Sequence, residues 1–284
     1  MRERAILVRD LRMSYGPVEA VRGISFEVDK GEVFGLLGPN GAGKTSTVEI
    51  LEGYRRRTGG EASVLGFDPA ARPRELRQQI GIVTQEGGFY PRATVREGVE
   101  LAGLPYPSPR DPGETLELVG LADRGEVRVQ DLSGGQRRRL DLALALVGDP
   151  GLVFLDEPTT GFDPAARRAA WEVVRKLAEL GKTVLLTTHY LEEAQALCDR
   201  VAIVKDGLVV AEGPPGSLGP GTAGYRVSWR ENGSRVEHLT DDPTEFLNRV
   251  TGEALADGRT LEELQVSRPS LEDVYLDLTE EAAR

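Results

Sequence analysis

Five apolar residues, Val33 to Leu37, run directly into Gly38-Pro39-Asn40-Gly41-Ala42-Gly43-Lys44-Thr45, and this junction restricts the fold more than any other feature of the chain. The apolar run reads as a strand buried on both faces. The glycines, lysine and threonine fit the phosphate-binding P-loop pattern, with a helix starting near Gly43. Glycines let backbone N–H groups crowd around phosphate oxygens, and the positive end of the helix points at the same anion. Lys44 falls where it meets the β- and γ-phosphates, a charge pair worth roughly 4 kcal/mol at about 4 Å and an effective dielectric of about 20. The Thr45 hydroxyl, with Ser46 next to it, falls where Mg²⁺ binds. A nucleoside triphosphate is the expected ligand, against the plainer alternative of a glycine-rich surface turn with a solvated lysine.

A second apolar run, Leu152-Val153-Phe154-Leu155, ends in Asp156-Glu157-Pro158. A parallel strand buried on both faces delivers residues in this way at its carboxyl edge. Asp156 is the candidate Mg²⁺ ligand and Glu157 the base that polarises the attacking water, a role worth about 10²–10⁴ in rate. Without the P-loop, a loop-capping acidic pair is an equal reading. Between the two runs lies Leu132-Ser133-Gly134-Gly135-Gln136, followed by Arg137, Arg138 and Arg139. Ser133 and Gln136 have capping-box spacing, so a helix starts here with bare N–H groups beside two glycines, a second anion site. The three arginines read as a solvated face of that helix.

With these residues the chain resembles the ATP-binding-cassette (ABC) ATPases, whose own signature is LSGGQ; the likeness runs over residues 6–212. It implies further roles. Tyr15 resembles the aromatic that stacks on adenine, with a partly buried strand tyrosine as the alternative. Gln85 resembles the glutamine that reaches Mg²⁺ and the water, and His189 the switch histidine that contacts the γ-phosphate. Asp163, before Pro164, resembles the acid linking the two nucleotide sites; its spacing equally predicts a helix N-cap. In this family ATP is sandwiched between two subunits. Ser133, Gly134, Gly135, Gln136 and Asp163 are therefore expected to serve a site on a second copy, as a homodimer. The ending of the chain, residues 270–279, is similar to ATPases of ABC-2-type exporters, including the drug-resistance branch. The resemblance implies an ATP-hydrolysing subunit that powers a separate integral membrane permease. Two departures stand out: the region between Gln85 and Leu132 is shorter and richer in proline than most exporter cassettes carry, and Phe162 replaces the commoner leucine.

A net charge of −11 argues against nucleic acid as the main partner. From Glu231 onward there are 14 acidic against 5 basic side chains, so most of the excess sits at one end. Arg55-Arg56-Arg57 is a local basic run that fits a solvated loop or a membrane-facing patch. No apolar run approaches bilayer length, and Met1-Arg2-Glu3-Arg4 has no signal-type core. The expected location is the cytoplasm, peripheral to the membrane through the permease. The single cysteine, Cys198, falls on an apolar helix face and reads as core.

Strands alternating with helices predict an α/β P-loop NTPase fold with a mainly parallel sheet. Alternation at residues 6–9 and 24–28 adds an N-terminal antiparallel β subdomain. Residues 94–147 read as an inserted helical subdomain, placed at about 86–150 and broken only by the proline-rich stretch 104–113. Helices are expected at 171–180 and 191–198. Pro and Gly across 213–221 predict a boundary, giving an ATPase domain over 1–220 and a small acidic α+β domain over 221–284. That second domain is expected to hold a hairpin at 225–239, a helix at 243–250 and a final capped helix from Ser270. A soluble ABC ATPase acting in translation or DNA repair is the competing function, but its usual second cassette or long coiled-coil insertion is not found here. A module that holds ATP without turnover is opposed by Glu157 and His189.

Overall fold

The computed structural model describes residues 3–83, 90–216, 218, 224–231 and 234–267, and the chain divides by its internal packing between Glu212 and Gly213. The first unit opens with β1 (Arg4–Tyr15), β2 (Val18–Asp29), β3 (Val33–Leu37), α1 (Lys44–Leu51) and β4 (Gly59–Val64). It continues with α2 (Arg74–Arg77), β5 (Ile80–Val83), α3 (Val95–Gly103), α4 (Pro112–Leu118), α5 (Gly134–Leu146), β6 (Leu152–Asp156) and α6 (Pro164–Glu179). The last elements are β7 (Thr183–Thr188), α7 (Leu191–Leu197), β8 (Arg200–Lys205) and β9 (Leu208–Gly213).

Six strands form the central sheet in the order β5-β6-β7-β3-β8-β9, and the first five run parallel. Every residue of β3, β6 and β7 is buried, as continuous apolar runs covered on both faces require. Full burial of a side chain such as Leu36 or Phe154 contributes about 1.5–3 kcal/mol. Strands β2, β1 and β4 make the antiparallel sheet expected at the N-terminus. Its inward residues Ile6, Val8, Phe26 and Val28 share one core with Phe34, Leu36, Ile50 and Phe154. Cys198 lies in the interior against Gly35, where a Cβ would come within 2.7 Å of its Sγ, and burial pushes its thiol pKa up.

Three sequence expectations change. Residues 119–133 do not continue as helix: Gly120, at φ +70°, stops α4, and only short 3₁₀ turns follow at Ala122–Arg124 and Val129–Asp131. Pro112 belongs to the first turn of α4, capped by Asp111, because a helix tolerates proline there. Helix α6 begins at Pro164, well before Trp171, because Asp163 caps it.

The second unit holds β10 (Tyr225–Glu231), β11 (Ser234–Thr240), α8 (Pro243–Ala256) and β12 (Glu262–Ser267). The strands form an antiparallel sheet in the order β11-β10-β12. Val227, Trp229 and Phe246 make its small core with Val236, Leu247 and Val250 packed around them. The helix expected from Ser270 lies outside the described residues.

Candidate nucleotide site

Sheet order builds the site. Strands β3, β7 and β6 are neighbours and parallel, so their carboxyl ends emerge side by side. The P-loop follows β3, His189 follows β7, and Asp156 and Glu157 sit at the end of β6. In register, Thr187 lies opposite both Leu36 and Asp156.

The P-loop wraps its own lysine. Lys44 is 4% exposed, and its Nζ donates to the carbonyls of Gly38 at 2.7 Å and Pro39 at 3.0 Å. Burial lowers its pKa, against the pull of Glu157 and Asp156. Gly43, at φ +101°, is the N-cap of α1 and supplies no side-chain cap; a Cβ there would lie 2.4 Å from the Ala20 carbonyl. Asn40, Gly41, Gly43, Lys44, Thr45, Ser46 and Glu157 line a cleft of about 430 Å³. Pro39 and Ala42 complete the loop, with Ala42 buried.

At the end of β6, the Thr187 hydroxyl donates to the Asp156 carboxylate and accepts from the Glu157 N–H at 2.9 Å. Burial raises the Asp156 pKa, while hydrogen bonds from Thr187 and Thr45 pull it down. Glu157 takes φ +47°, a left-handed conformation that costs a non-glycine residue about 1–3 kcal/mol. This turn aims its carboxylate into the site. Oε1 lies 3.3 Å from His189 Nδ1 and 3.9 Å from Lys44 Nζ, and Oε2 accepts from Thr160 Oγ1 at 3.0 Å. A hydroxyl and a carboxylate at Thr45 and Asp156 are the hard oxygens that suit Mg²⁺, which binds through one or two carboxylates together with substrate phosphates.

Tyr15 stands 38% exposed beside the P-loop helix, its hydroxyl 3.0 Å from Ser46 Oγ and the Arg55 guanidinium 5.1 Å above its ring. Arg55 also pairs with Glu49, and Arg57 with Asp68 at 2.7 Å, so two members of the basic run are engaged within the unit.

A second cleft, of about 900 Å³, shares Glu157 with the first and is lined by Ser133, Gly134, Gly135, Gln136 and Asp163. Ser133 and Gln136 form a complete capping box, with the Ser133 N–H donating to Gln136 Oε1 at 3.0 Å and the Gln136 N–H to Ser133 Oγ at 3.3 Å. A Cβ on Gly134 would meet nothing within 4 Å, and one on Gly135 only Ala166 at 3.8 Å. Packing of this chain therefore does not demand glycine at either position. The Asp163 carboxylate accepts from the Ala166 N–H at 2.8 Å, the capping role its spacing predicted.

The structure thus gathers the P-loop, Asp156, Glu157 and His189 at one edge and sets the Ser133 to Gln136 turn and Asp163 in an adjoining cleft. Gln85 lies outside the described residues. Sequence reasoning passed over Thr187 and Thr160, whose hydroxyls fix the two acids; the only signal was a Thr-Thr pair ending an apolar strand. It also misjudged Arg138. Far from solvated, its side chain is 11% exposed and reaches the Asp156 and Pro158 carbonyls and, on its own helix, Asp141, whose pKa burial pushes up to about 6.

A family model described as ABC transporter matches residues 21–160. The Nod factor export ATP-binding protein I of Burkholderia orbicola is 39% identical over 95% of this chain and 95% of its own length. The daunorubicin resistance ATP-binding protein of Streptomyces coeruleorubidus is 37% identical over 97% of this chain and 95% of its own. A solved dimeric ATP-binding cassette in a post-hydrolysis state, bound to ADP and Pi, is 26% identical with a TM-score of 0.65, covering 74% of this chain and 98% of that one.

Proposed function

The chain belongs to the ABC transporter family as an ATP-binding, ATP-hydrolysing subunit, and from that premise we propose that it is the motor of an exporter. Two copies close on Mg·ATP and drive a separate integral membrane permease from the cytoplasmic face. Kinship with Nod factor export and daunorubicin resistance proteins supports export, and the dimeric cassette supports paired copies. No helix among the described residues is long and apolar enough to cross a membrane.

One observation carries the chemistry. The Glu157 carboxylate stands 3.3 Å from His189 and 3.9 Å from Lys44 at the seam between the two clefts. Triphosphate binding at the open N-terminus of α1 engages Gly38, Pro39, Asn40, Gly41, Ala42, Gly43, Thr45 and Ser46. It also draws Lys44 from its own loop carbonyls to the β- and γ-phosphates. Tyr15 stacks on the base. Thr45 and Asp156, with Gln85, would hold Mg²⁺, which would neutralise charge on the phosphates. Glu157 takes the proton of the water that attacks the γ-phosphorus, and His189 contacts the γ-phosphate. From the second copy, Ser133, Gly134, Gly135, Gln136 and Asp163 complete the enclosure. A γ-phosphate that binds the closed dimer better than the open one shifts the equilibrium toward closure, and its loss reopens the pair.

Glu157→Gln keeps the shape of the side chain and removes the base. Steady-state hydrolysis is expected to fall by about 10²-fold or more, ATP binding to persist, and an ATP-bound dimer to accumulate on size-exclusion chromatography. Hydrolysis at the parental rate would remove Glu157 from the role of base.

A further inference from the structure

Glu157 is strained, and something must hold it. Beyond the last β6–β7 pair, Asp156 with Thr187, the strand no longer fixes the backbone, and Glu157 sits at φ +47°. Its N–H is tied to Thr187. The carbonyls on either side of it are tied to a single side chain. Arg138 Nη2 donates to the Asp156 carbonyl at 3.3 Å, and Arg138 Nε donates to the Pro158 carbonyl at 3.4 Å. The third nitrogen, Nη1, faces Asp141 Oδ2 at 3.7 Å on the same helix, so the fork is anchored from behind.

We infer that Arg138 is a positioning residue for hydrolysis: its guanidinium spans the two carbonyls that bracket Glu157 and holds the carboxylate in its left-handed, site-facing pose. The inference rests on Glu157 being the base. A planar guanidinium has donors at fixed separation and can bridge two acceptors, whereas an ammonium is a point donor and cannot impose that spacing. Arg138 also lies in α5, five residues after the Ser133 cap. The helix whose first turn is offered to the nucleotide of a second copy is therefore coupled by one side chain, through its planar fork, to the base of its own site.

Arg138→Lys keeps the charge and loses the fork. A displacement of the order of 1 Å at a reacting group can cost about 10²-fold, so kcat is expected to fall about 10- to 100-fold. The KM for ATP and the Kd for a fluorescent ATP analogue should stay within about twofold, because the interaction acts on the base and not on the bound substrate. Where this variant does not fold, Asp141→Asn replaces it, leaving the guanidinium in place without its counter-ion; its kcat is expected to fall by about threefold or more at unchanged Kd. Parental kcat in the folded variant, or a loss explained by weaker ATP binding, overturns the inference. Glu157→Gln is measured in parallel. If it is inactive while Arg138→Lys and Asp141→Asn turn over normally, the inference alone fails; if it remains active, the assignment of the base fails and the inference with it.

Discussion

Helices α1 and α5 both point their N-termini into clefts that adjoin Glu157, yet they begin in opposite ways. Helix α1 starts at a glycine with φ +101° and has no side-chain cap, while α5 starts at a serine inside a reciprocal capping box. The first four N–H groups of a helix have no partner within it. In α1 that deficit is left open beside a lysine buried by its own loop, so the fold carries an unfinished helix end that an anion completes. In α5 the chain itself closes half of the deficit: the capping box takes the N–H groups of Ser133 and Gln136 and leaves those of Gly134 and Gly135 open. On the proposed function, the first end is the half-site that binds and the second the half-site that is lent.

Removing the charge from the binding half should break this contrast most severely. Lys44→Ala deletes the only cation among the described residues lining the P-loop cleft. A loss of roughly 4 kcal/mol corresponds to ATP affinity weaker by about 10²–10³-fold, measured by equilibrium binding to the isolated chain.

The lending half is damaged by Gly135→Asp, which places a carboxylate at the N-terminus of α5, where the proposed dimer brings the triphosphate of a second copy. Binding of ATP to the isolated chain should be unchanged, and turnover should fall by about 10²-fold, the size of a lost oxyanion-type contact. Mixing sharpens the comparison. Lys44→Ala and Gly135→Asp chains, each inactive alone, form heterodimers in which one of the two sites has both halves intact, so mixing restores hydrolysis. No recovery on mixing would mean that each chain completes its own site.

The binding half was legible in the sequence because two of its three strands are continuous apolar runs that end abruptly in chemistry: Val33 to Leu37 before the P-loop, and Leu152 to Leu155 before Asp156. Burial on both faces leaves no alternation to confuse, and the loop residues are chemically conspicuous. What holds the half-site together was less visible. Thr187 sits within a buried run and reads as strand, although its hydroxyl serves both acids. Arg138, flanked by two other arginines, looks like surface, and only its reach to the Asp156 carbonyl at the end of β6 distinguishes it. Strand β12 was missed for a different reason. All six of its residues are exposed, so it is held by backbone pairing to β10 and carries no burial pattern to read. Residues 119–133 looked helical by position in a helical region, but Gly120 ends α4 through its backbone conformation alone.

The smallest expected effect separates the observed capping role of Ser133 from its proposed role toward a second copy. Its Oγ accepts from the Gln136 N–H at 3.3 Å, so Ser133→Ala removes a cap worth about 1 kcal/mol. In a unit of this size that lowers the melting temperature by about 2–4 °C. Ser133→Asn restores a cap of equal quality, since asparagine and serine rank together at this position, and should return the melting temperature to the parental value. The hydroxyl offered to a triphosphate is not restored. If α5 is lent to a second copy, turnover stays reduced in the asparagine variant although its stability is normal, and ATP affinity of the isolated chain is parental in both. Turnover that tracks the melting temperature across alanine and asparagine would make Ser133 a helix cap and nothing more, leaving Gly134 and Gly135 as the lent contacts.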